Sequence, residues 1–313
     1  MKKFVVSSPS WFPSSGGITI LHKFVHTLNE LGYDAYLAPS GPSGLGWHNN
    51  KYPFYSPEKY DKVKFITDDV FNNLEDAIVI YAESWYGNYL NAPNVVRWML
   101  GIADEKFMLS GSSHGITYKK WSDDELWFWY SDMYKNISDK KFQRNLNNNL
   151  TLSEFHRDIF YNKNEQRTLN CWTLRKGAST TKPSDYIHNK EDLFFGDIDK
   201  NLKDSDFHFP GQYRKLAELF NKTNTFYSYD VATFISIQAV MCGADSIVVP
   251  NKILSKEQYY NGFDLHRYVA YGLDEMDRSR SIRNELNDHM TEIENKCIND
   301  IHLFVEKCND YFK

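Results

Sequence analysis

FYSYDVATFISIQAVMCGADSIVVP, residues 226–250, reads as strand, helix and strand with almost nothing between them. Thr225 to Tyr229 has the aromatic and β-branched character of a strand. Asp230 follows where a helix N-cap is wanted, because a carboxylate accepts the free N–H groups of a first turn. Val231 to Cys242 continues at helical period, Gly243 closes the helix, and Asp245 to Pro250 returns to the sheet. Such a βαβ unit aims the start of its helix at the carboxyl edge of the sheet, where ligands of open α/β sheets bind. A helix start also presents free N–H groups and a partial positive charge, which suit phosphate. Asp230 and Gln238 bracket this one; taken alone, they are equally a cap and a solvated glutamine.

The first half of the chain shows the same alternation. Phe4 to Ser7 predicts a strand, Gly16 and Gly17 follow a Pro-rich turn, and Ile18 to Leu31 places Ile20, Leu21, Phe24, Val25 and Leu28 on one helical face. Gly32 ends that helix and Asp34 to Ala38 starts the next strand. Further strands are expected at Lys62 to Ile66, Ala77 to Ala82 and Lys106 to Ser110, with a helix at Pro93 to Leu100. Alternation of this kind predicts a mostly parallel sheet covered by helices.

Between Asp132 and about Asn164 the chain turns rich in Asn, Lys and Asp, including Asn147, Asn148 and Asn149, and its apolar period fades. The interdomain region is expected there. A strand at Thr168 to Leu174 then stops at Arg175, Lys176 and Gly177, a helix at Gln212 to Phe220 precedes the opening stretch, and Leu286 to Tyr311 predicts one or two terminal helices. The domains expected are residues 1–150, residues 151–285, and terminal helices over residues 286–313 packing back on the first domain.

Composition narrows the class. A chain of 313 residues with 36 Lys and Arg against 41 Asp and Glu has a net charge of −5, spread rather than gathered into tails, so nothing demands nucleic acid. The cysteines at 171, 242, 297 and 308 lack any C-x-x-C pair and sit in apolar patterns, as reduced core thiols of a cytoplasmic protein do. MKKFVVSSPSWFP reads as a first strand rather than a signal peptide, and no apolar run reaches the roughly 20 residues of a membrane span. The amphipathic terminal segment leaves peripheral membrane attachment open.

In order and spacing these motifs resemble glycosyltransferases of the GT-B fold. That family's donor-binding segment carries two glutamates eight apart before a small-Cys-Gly-small run and a strand, here Asp230, Gln238, Ala239, Cys242, Gly243 and Val248 to Pro250. Gly16-Gly17-Ile18 with Ile20-Leu21-His22, the segment Asn91 to Trp98 containing Arg97, and Cys171-Trp-Thr-Leu-Arg175-Lys176-Gly177 look like small bacterial and phage-associated sugar transferases of surface glycan synthesis. The resemblance implies an α/β chain with two Rossmann-like domains facing a cleft, plus C-terminal helices. It implies a hexosyl- or pentosyltransferase that takes a nucleotide-sugar donor in the second domain and a hydroxyl acceptor, a glycan, in the first. Asp230 and Gln238 stand where retaining members have glutamates, which leaves the stereochemistry open.

On that reading Arg175 and Lys176 balance the charge that develops on the leaving phosphate. Gly16 and Gly17 let backbone approach the pyrophosphate, and Tyr229, Asp230, Thr233 and Gln238 complete the donor site. Glu83, after the apolar strand, and His114, in Ser110-Gly-Ser-Ser-His114, compete for the base that activates the acceptor. Trp85, Tyr86 and Asn88 are the expected acceptor contacts, while the cluster Trp121, Trp127, Phe128, Trp129, Tyr130 reads as core. No cofactor or metal is expected to be required; Asp197-x-Asp199 is a weak metal motif in a loop-like segment. Two rivals stand beside this reading. One is a phage-type enzyme of the same fold that glycosylates a modified base in DNA, for which Asn-, Lys- and Tyr-rich composition speaks and net charge does not. The other is a non-catalytic glycan- or nucleotide-binding module.

Overall fold

The computed structural model describes residues 2–12, 15–40, 54–85, 87–101, 121–174, 181–195, 209–231, 233–252 and 254–313. The chain divides into two compact units, Met1–Glu154 with Glu294–Lys313, and Phe155–Ile293.

In the first unit β1 (Lys3–Ser8), β2 (Ala35–Pro39), β3 (Lys64–Phe65), β4 (Ala77–Ala82), β5 (Val95–Met99) and β6 (Leu126–Trp129) form one sheet in the order β3-β2-β1-β4-β5-β6. Every pairing is parallel. This is a doubly wound order, and its central strands are apolar throughout because helices and loops cover both faces; all six residues of β4 are buried. Helix α1 (Gly16–Glu30) starts after Ser15, whose Oγ accepts the N–H of Ile18 at 3.4 Å. It buries Phe24, Val25 and Leu28 completely. Gly32 ends the turn with a φ of 83°, and the Asn29 side chain joins helix to strand through both backbone groups of Ala35. The terminal segment forms one helix, Leu286–Tyr311. Its Phe304 is fully buried, with ring centroids 4.7 Å from Phe128, 5.3 Å from Phe24 and 5.7 Å from Phe4.

Two expectations fail here. Pro93 to Leu100 is the strand β5 and not a helix: Val95, Val96, Trp98 and Met99 are buried on both faces, and a short continuous apolar run satisfies either period. Strand β6 was not expected, since Trp127, Phe128 and Trp129 read only as an aromatic cluster; all three are core, at most 1% exposed. The strand expected at Lys106 to Ser110 lies outside the described residues.

The Asn-rich run has a structural use. As the outer strand among the described residues, β6 has one edge without a partner strand there, and asparagines line it. Trp127 N–H donates to Asn145 Oδ1 at 3.1 Å, Asn148 Nδ2 donates to the Trp127 carbonyl at 3.1 Å, and Trp129 N–H donates to the Asn148 carbonyl at 2.8 Å. Two side-chain amides and one backbone carbonyl of the asparagines thereby satisfy groups on this edge.

The second unit holds β7 (Leu169–Thr173), β8 (Leu193–Phe194), β9 (Thr223–Ser228), β10 (Asp245–Val248) and β11 (Ala270–Tyr271) in the order β11-β10-β9-β7-β8, all parallel. Counted from β7 this is 2-1-3-4-5, the other common doubly wound order. Both units are therefore Rossmann-like α/β layers. The Gly211–Asn221 helix leads into β9, and the helix after β9 is Ile235–Met241.

That helix corrects the expected Val231 to Cys242 with Asp230 as its cap. Its N-cap is Phe234, which has right-handed backbone angles and makes no side-chain cap bond. Sheet bonding keeps the chain extended past β9: Tyr229 N–H donates to the Thr173 carbonyl at 3.1 Å and Val249 N–H to the Ser228 carbonyl at 2.8 Å. Asp230, buried, is turned instead by Ser228, whose Oγ donates to the Asp230 carbonyl at 3.0 Å and accepts its N–H at 3.2 Å. All four cysteines are free and buried.

Candidate functional site

A doubly wound sheet has one place where connections leave neighbouring strands towards opposite faces, and the carboxyl ends there form a natural ligand crevice. In the first unit that place is between β1 and β4, and in the second between β7 and β9.

At the first, β1 ends in the buried pair Ser7 and Ser8, and β4 runs out into Glu83. The Trp85 indole N–H donates to Ser7 Oγ at 2.9 Å, with the Tyr89 hydroxyl 3.1 Å from the same oxygen. Glu83 is half-buried, and its Oε2 accepts the Leu100 N–H at 2.9 Å. Backbone crowds the other oxygen: a Cβ on Gly101 would lie 2.9 Å from Glu83 Oε1. The carboxylate is thus held at the strand end rather than free to swing. Asn88 faces its own loop, accepting from the Tyr81 hydroxyl and the Ala92 N–H at 3.1 Å each and donating to the Ala92 carbonyl at 2.6 Å.

Gly16 and Gly17 open α1 beside this edge. Neither has a left-handed φ, a Cβ on Gly16 would meet nothing within 4 Å, and one on Gly17 would touch only Leu100 Cδ1 at 3.9 Å. Packing and backbone angles in this unit therefore do not explain the two glycines; they leave open space at the helix start.

Behind the Glu83 loop lies a feature the sequence did not announce. Arg97, on β5, is fully buried, and its Nε and Nη2 bond to Glu125 Oε2 and Oε1 at 2.9 and 2.8 Å. Trp121 covers the guanidinium, its ring 4.9 Å from Cζ. Trp121, Trp127, Phe142, Lys141 and Arg144 also line a hollow of about 230 Å³. Arg144 is shared there with the exposed Asp123 at 2.6 Å.

In the second unit, β7 ends at Thr173, whose buried Oγ1 has no hydrogen-bond partner among the described residues. Beside it Tyr229 is buried with its hydroxyl accepting the Ile187 N–H at 2.9 Å and 2.7 Å from His188 Nδ1. His188 stacks on Trp172 at 4.0 Å between centroids, and Tyr186 closes the group 5.1 Å from Tyr229. Burial lowers the His188 pKa, against the raising effect of Asp192, so the ring is neutral at neutral pH; burial likewise raises the Tyr229 phenol. Thr233 is half-buried. Gln238 is buried on the Ile235–Met241 helix.

The structure thus places Gly16, Gly17, Glu83, Trp85 and Asn88 around one edge, and Tyr229, Asp230, Thr233 and Gln238 on the strand end and helix of the other. His114, Arg175, Lys176 and Tyr86 lie outside the described residues, as do Asp197 and Asp199. Sequence reasoning missed Glu125, Trp172, Tyr186 and His188. Trp172 was visible as an aromatic on a strand, but loop residues such as His188 carry no periodic signal.

The class the two sheets define is a chain of two doubly wound α/β units. No family model matches the sequence, and no curated protein matches it. Among solved structures the chain is similar to an alpha-glucosyltransferase in complex with UDP and a 13-mer DNA containing a central A:G mismatch, at 11% identity and a TM-score of 0.47 over 100% of both chains. It is also similar to an alpha-glucosyltransferase in complex with UDP and a 13-mer DNA containing a HMU base (12% identity, TM-score 0.43, 100% of this chain and 99% of that one). A third is T4 phage BGT in complex with UDP and Mn2+ (9% identity, TM-score 0.39, 100% and 97%). Likeness at this level does not extend to what those proteins bind or act on.

One expectation is corrected by them. That no cofactor is required does not stand beside a similar structure that holds Mn2+ with UDP, and metal independence is withdrawn. Among the described residues, no three His, Cys, Asp or Glu side chains stand together as a metal site, so none of these residues is assigned to a metal.

Proposed function

We propose that the chain is a glycosyltransferase that takes its sugar from a nucleoside-diphosphate donor held by the second unit and passes it to a hydroxyl acceptor held by the first. The observation that carries the reading is the coincidence of two independent facts. Two of the segments resembling sugar transferases, Gly16-Gly17 and Asp230 to Gln238, follow β1 and β9, strands that flank the two topological switch points where such folds put ligands.

On this reading Arg175 and Lys176, two and three residues past the end of β7, take the charge of the departing diphosphate. Gln238 meets the ribose hydroxyls by neutral hydrogen bonds, and Thr173 Oγ1, unpartnered among the described residues, gains a partner when the nucleotide binds. Glu83 accepts the acceptor's proton, and its bond to the Leu100 N–H keeps the carboxylate aimed from the strand end.

For the acceptor, a hydroxyl on a base in DNA is the reading favoured over a neutral glycan. The hollow lined by Trp121, Trp127, Phe142, Lys141 and Arg144 sets two cations beside the half-buried ring of Trp121, a combination that single-stranded nucleic acid uses and a neutral sugar does not need. Two cations release few counterions, and Arg144 must first leave Asp123, so log affinity for a single-stranded oligonucleotide should fall against log salt with a slope no steeper than about −1.4. Transfer of labelled sugar to oligonucleotides bearing a hydroxymethylated base, set against transfer to oligosaccharides, decides the acceptor. Donor binding without transfer to any acceptor would leave only a binding module.

A further inference from the structure

The described residues of the Glu83 loop, 83–85, 87 and 88, have no regular secondary structure, yet the loop is tied at several points to one buried cation. Arg97 Nη1 donates to the carbonyls of Ala82 at 3.3 Å and Trp85 at 3.0 Å, and Nη2 donates to that of Gly87 at 3.1 Å. The remaining donors go to Glu125, with both side chains essentially excluded from solvent at 0% and 2% exposure. Glu125 is fixed in turn by the Ser122 N–H at 3.4 Å. The Trp121 indole N–H donates to the same Trp85 carbonyl at 2.8 Å while its ring faces the guanidinium.

A buried ion pair is poor evidence for stability, because desolvating both charges offsets much of their attraction and apolar residues of similar volume often serve as well. What an apolar substitute cannot do is collect the last carbonyl of β4 together with two from the turn that follows. The planar guanidinium offers five donors in a fixed fork, and Arg97 directs two of them to Glu125, one to the end of β4 and two to the loop. Strand β5 is paired along both edges, with β4 and with β6, so it serves as the fixed frame against which the loop is set.

We propose that Arg97, held by Glu125, is a positioning residue: it sets the loop from Glu83 to Asn88 so that the Glu83 carboxylate and the Trp85 ring keep a fixed place at the edge of the sheet. Arg97 touches no substrate and acts through that loop. The role in turnover rests on the glycosyltransferase reading; the geometric role does not.

The test therefore uses two readouts on the full chain. Arg97→Lys keeps a cation opposite Glu125 and loses the fork. Glu125→Gln keeps the guanidinium and loosens its anchor, and serves if the lysine variant does not fold. Hydrogen exchange should speed up by roughly tenfold or more at the amides of residues 83–88, with those of β1 and β4 unchanged. In the transfer assay kcat should fall about 10- to 100-fold while the KM for the nucleotide sugar, bound by the other unit, stays put. Unchanged exchange in a folded variant overturns the proposal, and faster exchange with unchanged kcat overturns its link to Glu83. If the native protein transfers no sugar, the functional reading fails, and the exchange result alone upholds or overturns the clamp.

Discussion

Gly101 tests the placement of Glu83 with one methyl group. A Cβ there would sit 2.9 Å from Glu83 Oε1 and 3.6 Å from Cδ, and the far end of a flexible side chain is what gives way. Gly101→Ala should therefore leave the melting temperature nearly unchanged and lower sugar transfer by about 10- to 100-fold, because a misplacement of an ångström is enough to cost that much. A fully active Gly101→Ala would remove Glu83 from the chemistry. At the same scale, burial pushes the thiols of Cys171 and Cys242 up to about 12 and raises those of Cys297 and Cys308. Thiolate is the reactive form, so iodoacetamide at pH 8 should modify none of the four in the native protein and all four after unfolding, as read by mass spectrometry. Rapid native labelling at any of them would contradict the packing described.

Among the elements, the terminal helix is the most exposed to challenge, since only its C-terminal part belongs to the first unit. Phe304 joins that part to Phe4 on β1, Phe24 on α1 and Phe128 on β6. Phe304→Ala should cost about 3–5 kcal/mol in urea unfolding, the range for deleting a buried aromatic ring. A loss below about 1 kcal/mol would mean that the helix is not part of that core. The elements also show what the sequence made legible. Both strand-helix-strand units could be read from β-branched runs and terminating glycines, and Leu286–Tyr311 matched to the residue. Strand β5 was misread because Val95 to Met99 is buried on both faces and has no alternation to display, and Arg97 within it looked polar although it is internal. The start of the Ile235–Met241 helix was misplaced because Asp230 is a good cap in isolation, while the sheet bonds that hold Tyr229 extended come from residues distant in sequence. The strands whose carboxyl ends flank the switch points were legible; the Arg97–Glu125 pair and the Trp172–His188 stack were not, since each joins residues that only the fold brings together.

For the whole molecule, each unit carries a buried neutral histidine. His22 lies between Ser56 Oγ at 2.9 Å and the Pro9 carbonyl at 3.0 Å, and His266 stacks on Tyr259 with its Nδ1 2.9 Å from that residue's carbonyl. Burial outweighs these hydrogen bonds and lowers both pKa values from 6.5 to about 4. Between those two values the unfolded chain binds protons that the folded chain refuses, so stability falls as pH drops from 6.5 towards 4 and the loss levels off below. Each histidine contributes a slope approaching about 1.4 kcal/mol per pH unit inside that window. Urea unfolding at a series of pH values should show the decline already at pH 5.5, above the range of ordinary carboxylates, and Tyr or Phe at either position would be expected to flatten it if folding is kept. A flat profile from pH 7 to 5 would mean that these rings are not buried as described.

The central claim, a nucleoside-diphosphate sugar bound by the second unit, is tested most directly by thermal denaturation of the full chain with UDP, GDP, ADP and their sugars, with and without Mn2+. One nucleotide at 100 times its dissociation constant should stabilise the chain by about 2.7 kcal/mol, and the effect should weaken in Gln238→Ala. If no nucleotide shifts the melt, the carboxyl edge of β7 and β9 is an ordinary sheet edge and the assignment as a sugar transferase falls with it.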